Sequence, residues 1–248
     1  MTAHTDAVTI PPMTAPIRVD ARGPVTVVTM DDGKANALSP TFMGALRDTV
    51  REAAGSAGAI VLAGRAGFFS GGLDIKLLPS LPHEERVEMV KDLGRLLLDV
   101  FLCPRPVIAA MTGHALAGGA LLALACDLRL GVDAPARFGL NEVAIGLPVP
   151  TFGVEIARTA VSPQWHAELC LHARVYTLPD ARDRGIIESL HAPDALLEAA
   201  VARATPLASL ATSAYEATKV RLRGPAAATA RAALDDEIDG FLRGFANS

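Results

Sequence analysis

The sequence predicts an α/β fold with a helical C-terminal portion, and two observations support this prediction. Over the first 150 residues, short aliphatic runs bounded by turns alternate with longer stretches whose apolar residues recur at helical spacing. After Pro150 the pattern is mainly helical. Strands that alternate with helices and then give way to helices are typical of an α/β core followed by a helical region.

The first predicted elements are a strand, a helix and a second strand. The β-branched run Val25–Met30 ends in an Asp-Asp-Gly turn and therefore predicts a strand. Ser39 followed by Pro40 is typical of a helix N-cap with proline in the first turn. The run Ala59–Ala63 lacks polar alternation, which indicates a strand buried on both faces.

Another helix, two strands and a buried helix follow. An amphipathic stretch opens at Pro82 and closes near residue 101, before the strand Val107–Met111. A glycine turn then leads into an apolar helix that starts near Gly118, and Leu128–Val132 predicts one more strand. In the C-terminal part we expect helices over 152–160, 163–171, 195–204 and 226–245.

The chain divides into three predicted segments. Residues 1–16 form a proline-containing tail, 17–190 the α/β core and 191–248 the helical region. The tail has no basic start followed by an apolar run, so it does not resemble a secretory signal. Apolar runs elsewhere are shorter than the roughly 20 residues of a membrane span. We therefore expect a soluble, cytoplasmic protein.

Composition and charge argue against several classes of function. Half of the 248 residues are hydrophobic but only 4% are aromatic, so the core is built mainly from Ala, Val, Leu and Ile. A net charge of −4 gives no basic surface for nucleic acid or an anionic membrane. The three cysteines are far apart and the histidines lack i, i+4 pairing, which fits neither a disulfide framework nor a metal site.

Two motifs raise the question of other chemistries. The glycine-rich segments lack the spacing of phosphate-binding loops, and no lysine follows Gly118-Gly119. Ser70 is followed two residues later by Gly72, as in a nucleophile elbow, but Phe68 stands where that turn needs glycine. A serine hydrolase is therefore the last of the alternatives.

Segments 63–76 and 107–125 share one pattern: a buried strand, a glycine-rich turn and then the start of a predicted helix or helical turn. The first backbone N–H groups of a helix have no intrahelical partner and lie at the positive end of its dipole. Two such ends brought together form a two-donor pocket for an oxygen that becomes negative. Glycine leaves room for the ligand, although tight β-to-α turns also use glycine for conformational reasons.

The chain resembles the crotonase (enoyl-CoA hydratase/isomerase) superfamily, whose members bind acyl-CoA thioesters. The resemblance spans roughly residues 17–220 and is carried by three motifs in order: Gly72-Leu73-Asp74, the block 113–127 and the segment 138–158. It implies a crotonase-type spiral of ββα units followed by a helical trimerisation region, with trimers often paired into hexamers. It also implies that the backbone N–H groups of Leu73 and Gly118 hold the thioester carbonyl.

The resemblance also implies which side chains surround the substrate. Hydratases of this family use two glutamates; Leu121 stands at one of these positions and Glu142 at the other. The remaining expected substrate contacts lie in the same motifs: Ser70, Gly71, Gly72, Asp74, Ile75, Leu121, Leu140 and Asn141. For Asp74 we favour a helix cap over a catalytic role. Asn141 orients Glu142, lines the acyl pocket or belongs to an ordinary turn.

A single glutamate favours isomerisation over hydration. Addition of water benefits from two carboxylates, whereas moving a double bond needs one base and donors for the dienolate oxygen. Gly72-Leu73-Asp74, Leu121 and Glu142 together are most similar to the mitochondrial-type Δ3,Δ2-enoyl-CoA isomerases, which also use one glutamate. The apolar neighbours of Glu142 predict a partly buried carboxylate with a raised pKa.

We therefore expect a cofactor-independent enoyl-CoA isomerase of fatty acid metabolism, with an acyl-CoA substrate and a homotrimeric or hexameric assembly. Two alternatives stay open. One is an enoyl-CoA hydratase that works with Glu142 alone or with a second carboxylate from elsewhere, such as an Asp or Glu near the C-terminal helices. The other is a non-catalytic acyl-CoA-binding protein, which the absence of a carboxylate at Leu121 motivates. We expect no metal, no nucleic-acid partner and no membrane association.

Overall fold

The structure, a computed structural model, describes residues 16–234, 236–238 and 242. Its strands are β1 (Ile17–Arg22), β2 (Val25–Met30), β3 (Ala37–Leu38), β4 (Ala59–Ala63), β5 (Gly67–Ser70), β6 (Gly72–Leu73), β7 (Val107–Met111), β8 (Gly113–Leu116), β9 (Leu128–Val132), β10 (Arg137–Gly139), β11 (Val175–Thr177) and β12 (Ser189–His191). Its α-helices are α1 (Pro40–Ser56), α2 (His83–Phe101), α3 (Gly118–Ala125), α4 (Thr151–Ala160), α5 (Leu178–Asp183), α6 (Leu196–Ala208) and α7 (Thr212–Ala233). The predicted tail lies outside the described residues except for Pro16.

Successive turns of the chain alternate between two larger sheets. The six-stranded sheet has the order β1-β2-β4-β7-β9-β12 and is parallel except for β1 against β2. The four-stranded sheet has the order β11-β10-β8-β5 and is parallel except for β10 against β11. Strands β4, β7 and β9 each lead into a strand of the smaller sheet and then into a helix. The predicted spiral of ββα units is therefore confirmed.

Local signals explain the elements that form the core. The Ser39 Oγ accepts a hydrogen bond from the N of Phe42 at 3.2 Å, as expected for the N-cap of α1. All residues of β4 and β7 are buried, in keeping with their lack of polar alternation. Helix α3 is also buried along its whole length. These elements form one hydrophobic core that positions the β8–α3 junction.

The long helix α7 is fastened to the core by buried charges. The Lys219 Nζ donates to Asp127 Oδ2 at 2.8 Å and to Cys103 O at 2.8 Å. The Arg223 Nη1 lies 3.1 Å from Asp127 Oδ1 and donates to Phe101 O at 2.9 Å. Each of these two buried cations has a carboxylate partner and carbonyl acceptors, which offset the cost of its desolvation. No helix among the described residues is long and apolar enough to cross a membrane.

Some predicted boundaries in the core are wrong. Gly113 belongs to strand β8 and not to a turn, because β8 pairs with β5 at close range. A Cβ atom at Gly113 would lie 1.9 Å from the carbonyl carbon of Gly67, so this glycine serves sheet packing. Strands β11 and β12 lie in the part for which the sequence predicts mainly helices. Each has three residues, too few for a periodic signal.

The C-terminal helices also differ from the prediction. Residues 163–171 contain a 3-10 turn (Pro163–Trp165) and a π-helical segment (Ala167–Leu171) instead of one α-helix. Helix α7 begins at Thr212 and not at 226, because Pro225 lies inside the helix, where a proline normally indicates a break. The end of the predicted helix 226–245 falls partly outside the described residues.

Candidate active site

Two backbone amides from successive ββα turns lie close together. Gly72 in β6 has a φ of +88°, and a Cβ atom there would lie 2.9 Å from the N of Gly118 and 2.8 Å from the O of Leu116. A Cβ atom at Gly118 would lie 3.4 Å from the N of Leu73. Standard bond geometry therefore puts the Leu73 and Gly118 nitrogens within about 6 Å of each other. Glycine at position 72 permits this approach.

The directions of these two amides suit a shared acceptor. The N of Asp74 donates to the O of Leu38 at 3.3 Å, across the parallel β3–β6 pair. Because successive amides of a strand point to opposite sides, the N–H of Leu73 points away from β3. Gly118 is the first residue of α3, so its N–H has no acceptor within the helix and lies at the positive end of the dipole. Such a pair can stabilise an oxygen that gains negative charge.

Ala117 directs the Gly118 amide and carries backbone strain. Its φ of 49° and ψ of −125° form a combination that residues with a Cβ atom rarely adopt. The Ala117 N donates to the O of Gly139 at 2.9 Å, and the Ala117 O accepts from the N of Leu121 at 3.0 Å. These bonds hold a conformation that costs on the order of 1–3 kcal/mol. Alanine carries no sequence signal for such a role, and sequence analysis missed it.

An apolar cavity of about 160 Å³ adjoins the two amides, and Leu73 and Gly118 are among its lining residues. Aliphatic and aromatic side chains from α2, α3 and the region of α4 form its walls: Val90, Leu93, Leu121, Leu147, Pro150 and Phe152. Leu121 is buried and packs against α4, where a Cβ atom at Gly153 would lie 3.0 Å from the Leu121 Cδ1. The cavity therefore extends from the amide pair along α3 to the first turn of α4.

Glu142 brings a carboxylate into this cavity. It is 6% exposed, and its Oε2 has no hydrogen-bond partner among the described residues. Burial raises the pKa of Glu142 from 4.5 to about 7, and a backbone hydrogen bond opposes part of the shift. Its own O accepts from the N of Ile145 and of Leu147, each at 3.0 Å, which fixes the turn that carries it. A carboxyl group of this kind can both accept and return a proton near neutral pH.

The polar groups of the cavity are few. Glu142 is the sole acidic side chain among the described residues that line it. Asn141 also lines the cavity, and its buried Oδ1 lacks a hydrogen-bond partner within the described part of the chain. At the position where Leu121 stands, the wall is apolar. The arrangement therefore places one acid–base group in the same cavity as two backbone donors.

A second, open cavity of about 570 Å³ lies on the other side of β6, and sequence analysis missed it. Gly71, Leu73 and Ile75 line both cavities, so the two adjoin along this segment. The charged lining residues of the open cavity are Lys34 and Lys76, which offer cationic groups, and Asp32 and Asp74. The segment Lys34-Ala35-Asn36 follows the Asp-Asp-Gly turn after β2, and the sequence analysis assigns it no role.

The loop that carries Lys34 is held by polar side chains. The Asp32 Oδ1 accepts from the backbone N of Lys34 at 2.7 Å and of Asn36 at 2.9 Å. Buried Asn36 has a φ of 49°, and its Nδ2 donates to Met30 O at 2.9 Å and to Phe69 O at 3.1 Å. Because the Asp32 carboxylate accepts hydrogen bonds from this loop, part of its negative charge is compensated there.

The predicted site residues fall into three groups. Seven of them line the apolar cavity: Gly71, Leu73, Ile75, Gly118, Leu121, Asn141 and Glu142. Gly72 and Asp74 line the open cavity only. Asp74 does not cap a helix as predicted, because the next helical turn starts at Leu78 and its N-cap position is Leu77, without a side-chain cap.

Ser70 and Leu140 do not lie where substrate contacts were predicted. Both side chains are fully buried, and neither residue lines the two cavities. The Ser70 Oγ donates to the O of Asn36 at 2.8 Å and accepts from the N of Gly72 at 3.1 Å. Ser70 therefore supports the approach of β6, and its position argues against a serine nucleophile.

Comparisons with known proteins agree with this geometry. A sequence model of the enoyl-CoA hydratase/isomerase family matches residues 20–247. A putative enoyl-CoA hydratase of Thermus thermophilus is 35% identical over 204 residues, which cover 80% of each chain. An enoyl-CoA hydratase structure from Mycobacterium ulcerans superposes with a TM-score of 0.86 at 32% identity, covering 92% of this chain and 100% of that one.

The structure of human mitochondrial Δ3,Δ2-enoyl-CoA isomerase has a TM-score of 0.88, with 92% of this chain and 91% of that one covered. At 22% identity, this likeness concerns the fold alone. The match over nearly the whole chain, the identity to the relative from Thermus and the paired amides lead to one conclusion. The chain belongs to the enoyl-CoA hydratase/isomerase family, the crotonase superfamily.

Proposed function

We propose that the chain is a Δ3,Δ2-enoyl-CoA isomerase of fatty acid metabolism. The observation that supports this most directly is the buried Glu142, the sole carboxylate among the described residues lining the cavity. Leu121 occupies the position where the resemblance to hydratases expects a second carboxylate. One group with a pKa of about 7 suits a reaction in which a proton leaves and returns.

In the proposed reaction the Glu142 carboxylate removes a proton from C2 of a 3-enoyl thioester. The C–H electron pair moves into a C1–C2 double bond, and the thioester oxygen becomes the oxyanion of a dienolate. The N–H groups of Leu73 and Gly118 donate to this oxygen. The protonated Glu142 then returns its proton at C4, which leaves the double bond between C2 and C3. Every atom of the substrate is retained, and the proposed reaction uses no cofactor.

The open cavity suits the coenzyme A part of such a substrate. Coenzyme A carries phosphates, and Lys34 and Lys76 offer cationic donors. A thioester placed at the Leu73 amide would have its acyl chain in the apolar cavity and its coenzyme in the open one, because Leu73 lines both. The open cavity carries lysine side chains, which are absent among the described residues that line the apolar cavity.

Separate incubations with 3-hexenoyl-CoA and crotonyl-CoA test the proposed reaction. Isomerisation of 3-hexenoyl-CoA creates a conjugated enoyl thioester, so we expect the absorbance of that group to rise with time. With crotonyl-CoA, which is already conjugated, we expect no change. A no-enzyme incubation controls for spontaneous isomerisation.

Hydration is the second candidate, because most of the similar curated proteins carry hydratase names. In that case Glu142 acts on water without a second carboxylate, and the absorbance of crotonyl-CoA falls. Saturable binding of both thioesters without any change in absorbance would instead identify an acyl-CoA-binding protein. The three outcomes therefore separate the three functions.

We propose further that the protein is cytoplasmic and assembles as a homotrimer or hexamer. Exposed apolar side chains beside the Glu142 turn, Val143 and Ile145, support an association of subunits. Sedimentation velocity at micromolar concentration should give three or six times the chain mass of 25.8 kDa. A monomer under these conditions contradicts the assembly and leaves the reaction unaffected.

A further inference from the structure

The first turn of α4 forms part of the wall of the apolar cavity. Phe152, in that turn, is 2% exposed and lines the cavity. Gly118 and Leu121 lie one turn apart on α3, and Leu121 contacts α4 at Gly153. An acyl chain that starts at the Gly118 amide and follows α3 therefore meets the Phe152 ring.

The Phe152 ring is seated on a glycine. A Cβ atom at Gly94 of α2 would lie 3.1 Å from the Cδ1 and 3.3 Å from the Cε1 of Phe152. The same Cβ atom would lie 2.6 Å from the Cδ1 of Leu234. The Phe152 ring and the Leu234 side chain thus both pack over Gly94 of α2, and this close packing restricts movement of the ring away from the cavity.

The segment after α7 also holds the backbone of this turn. Pro150 is the N-cap residue of α4 and offers no side-chain cap. Glu237 supplies one from a distance: its Oε2 accepts from the N of Thr151 at 2.9 Å, and its Oε1 accepts from the Thr151 Oγ1. A carboxylate at a helix N-terminus is stabilised by the free N–H groups and the dipole. Glu237 therefore ties the C-terminal segment to the residue next to Phe152.

We propose that Phe152 is the end stop that limits the length of the acyl chain, and that Glu237 and Leu234 are its positioning residues. The cavity volume of about 160 Å³ indicates the limit. A dry protein cavity of about 150 Å³ holds one benzene molecule, so the space accepts about six carbons. The inference depends on the proposed function only in taking an acyl-CoA as the ligand.

Calorimetric titration with saturated acyl-CoAs of four to twelve carbons tests the end stop. These ligands have no double bond to move or hydrate, so binding is measured apart from the chemistry. We expect affinity to be highest at hexanoyl-CoA and at least about tenfold weaker at decanoyl-CoA. Phe152→Ala should shift the optimum to eight or ten carbons.

Matched variants distinguish an end stop from a general packing residue. Phe101→Ala removes an equally buried ring that does not line the cavity, so it should lower stability and keep the hexanoyl optimum. If Phe152→Ala does not fold, Phe152→Leu should still lengthen the optimum by one or two carbons. Glu237→Gln should reduce the difference in affinity between hexanoyl-CoA and decanoyl-CoA, and the affinity for butanoyl-CoA should stay unchanged.

Two results would overturn the inference. One is equal affinity of the wild-type protein for all chain lengths, and the other is an unchanged optimum in folded Phe152 variants. A failure to bind any acyl-CoA would contradict the proposed function instead, so the two failures are distinguishable.

Discussion

Replacement of Glu142 by glutamine should lower kcat for 3-hexenoyl-CoA by about 10²–10⁴-fold, the usual range for a general base. Glutamine has nearly the same shape as glutamate but does not accept the proton from C2. Because the amide pair and the cavity walls are unchanged, we expect KM to change little. Rates measured from the conjugated thioester absorbance give both values.

The pH dependence provides an independent check of this role. The base must be ionised, so kcat/KM of the wild-type enzyme should rise with pH and level off above about 7, where burial places the pKa of Glu142. The residual activity of Glu142→Gln should lack that inflection. Glu52→Gln, on the exposed side of α1, is the matched control and should retain wild-type rates. Near-normal isomerisation by Glu142→Gln would refute the mechanism.

The same variant should alter stability with a defined sign. The folded-state pKa of Glu142 lies above its ordinary value of 4.5, so the fold favours the neutral form. The resulting cost is absent below pH 4.5, grows between pH 4.5 and 7, and reaches up to about 3 kcal/mol above pH 7. Glutamine has no such cost. Urea denaturation should therefore show Glu142→Gln to be more stable than wild type at about pH 8 and similar to it at about pH 4.

Gly118→Ala should remove activity while the protein stays folded. The new methyl group would stand 3.4 Å from the Leu73 N, in the space proposed for the thioester oxygen. Loss of one oxyanion donor typically costs about 10²–10³-fold in kcat. The free energy of unfolding should change by about 1 kcal/mol or less, because alanine is favoured in helices. Of the neighbouring atoms, only the Leu93 Cδ2, 3.2 Å from the new methyl group, must shift. Kinetics together with thermal unfolding measure both effects.

Gly44→Ala is the control for this substitution. Gly44 lies in α1, and a Cβ atom there would have no atom within 4 Å. This variant should keep full activity and equal or greater stability, since alanine is favoured in helices. Full activity of Gly118→Ala would show that the thioester oxygen is bound elsewhere.

Signals within a few residues were enough to predict much of the core. The Ser39-Pro40 pair marks the start of α1, and the unbroken aliphatic runs of β4 and β7 correspond to strands buried on both faces. Elements that depend on distant partners were missed. β10, β11 and β12 have three residues each and are defined by pairing, and α7 continues through Pro225.

The residues of the candidate site also divide into those that local sequence signals predict and those that depend on distant contacts. Glu142 stands out in the sequence as an acid among apolar neighbours, and the paired amides of Leu73 and Gly118 follow from the family motifs. Ser70 and Leu140 were predicted to contact the substrate because they stand next to cavity-lining residues in the motifs. Successive side chains of an extended segment point to opposite sides, so a neighbour in the sequence need not share the cavity. Phe152 could not be assigned to the cavity wall from sequence, because its position depends on packing against Gly94 of α2, 58 residues earlier in the chain.

The two amides belong to different turns of the spiral, since β6 precedes α2 and α3 follows β7. Neither turn alone possesses the pair of amides that we propose to bind the thioester oxygen. A partly folded chain in which only the earlier turn has formed therefore cannot bind a thioester through it. Acyl-CoA should consequently stabilise only the completely stacked state, and its contribution to the unfolding equilibrium should grow with the logarithm of the free ligand concentration.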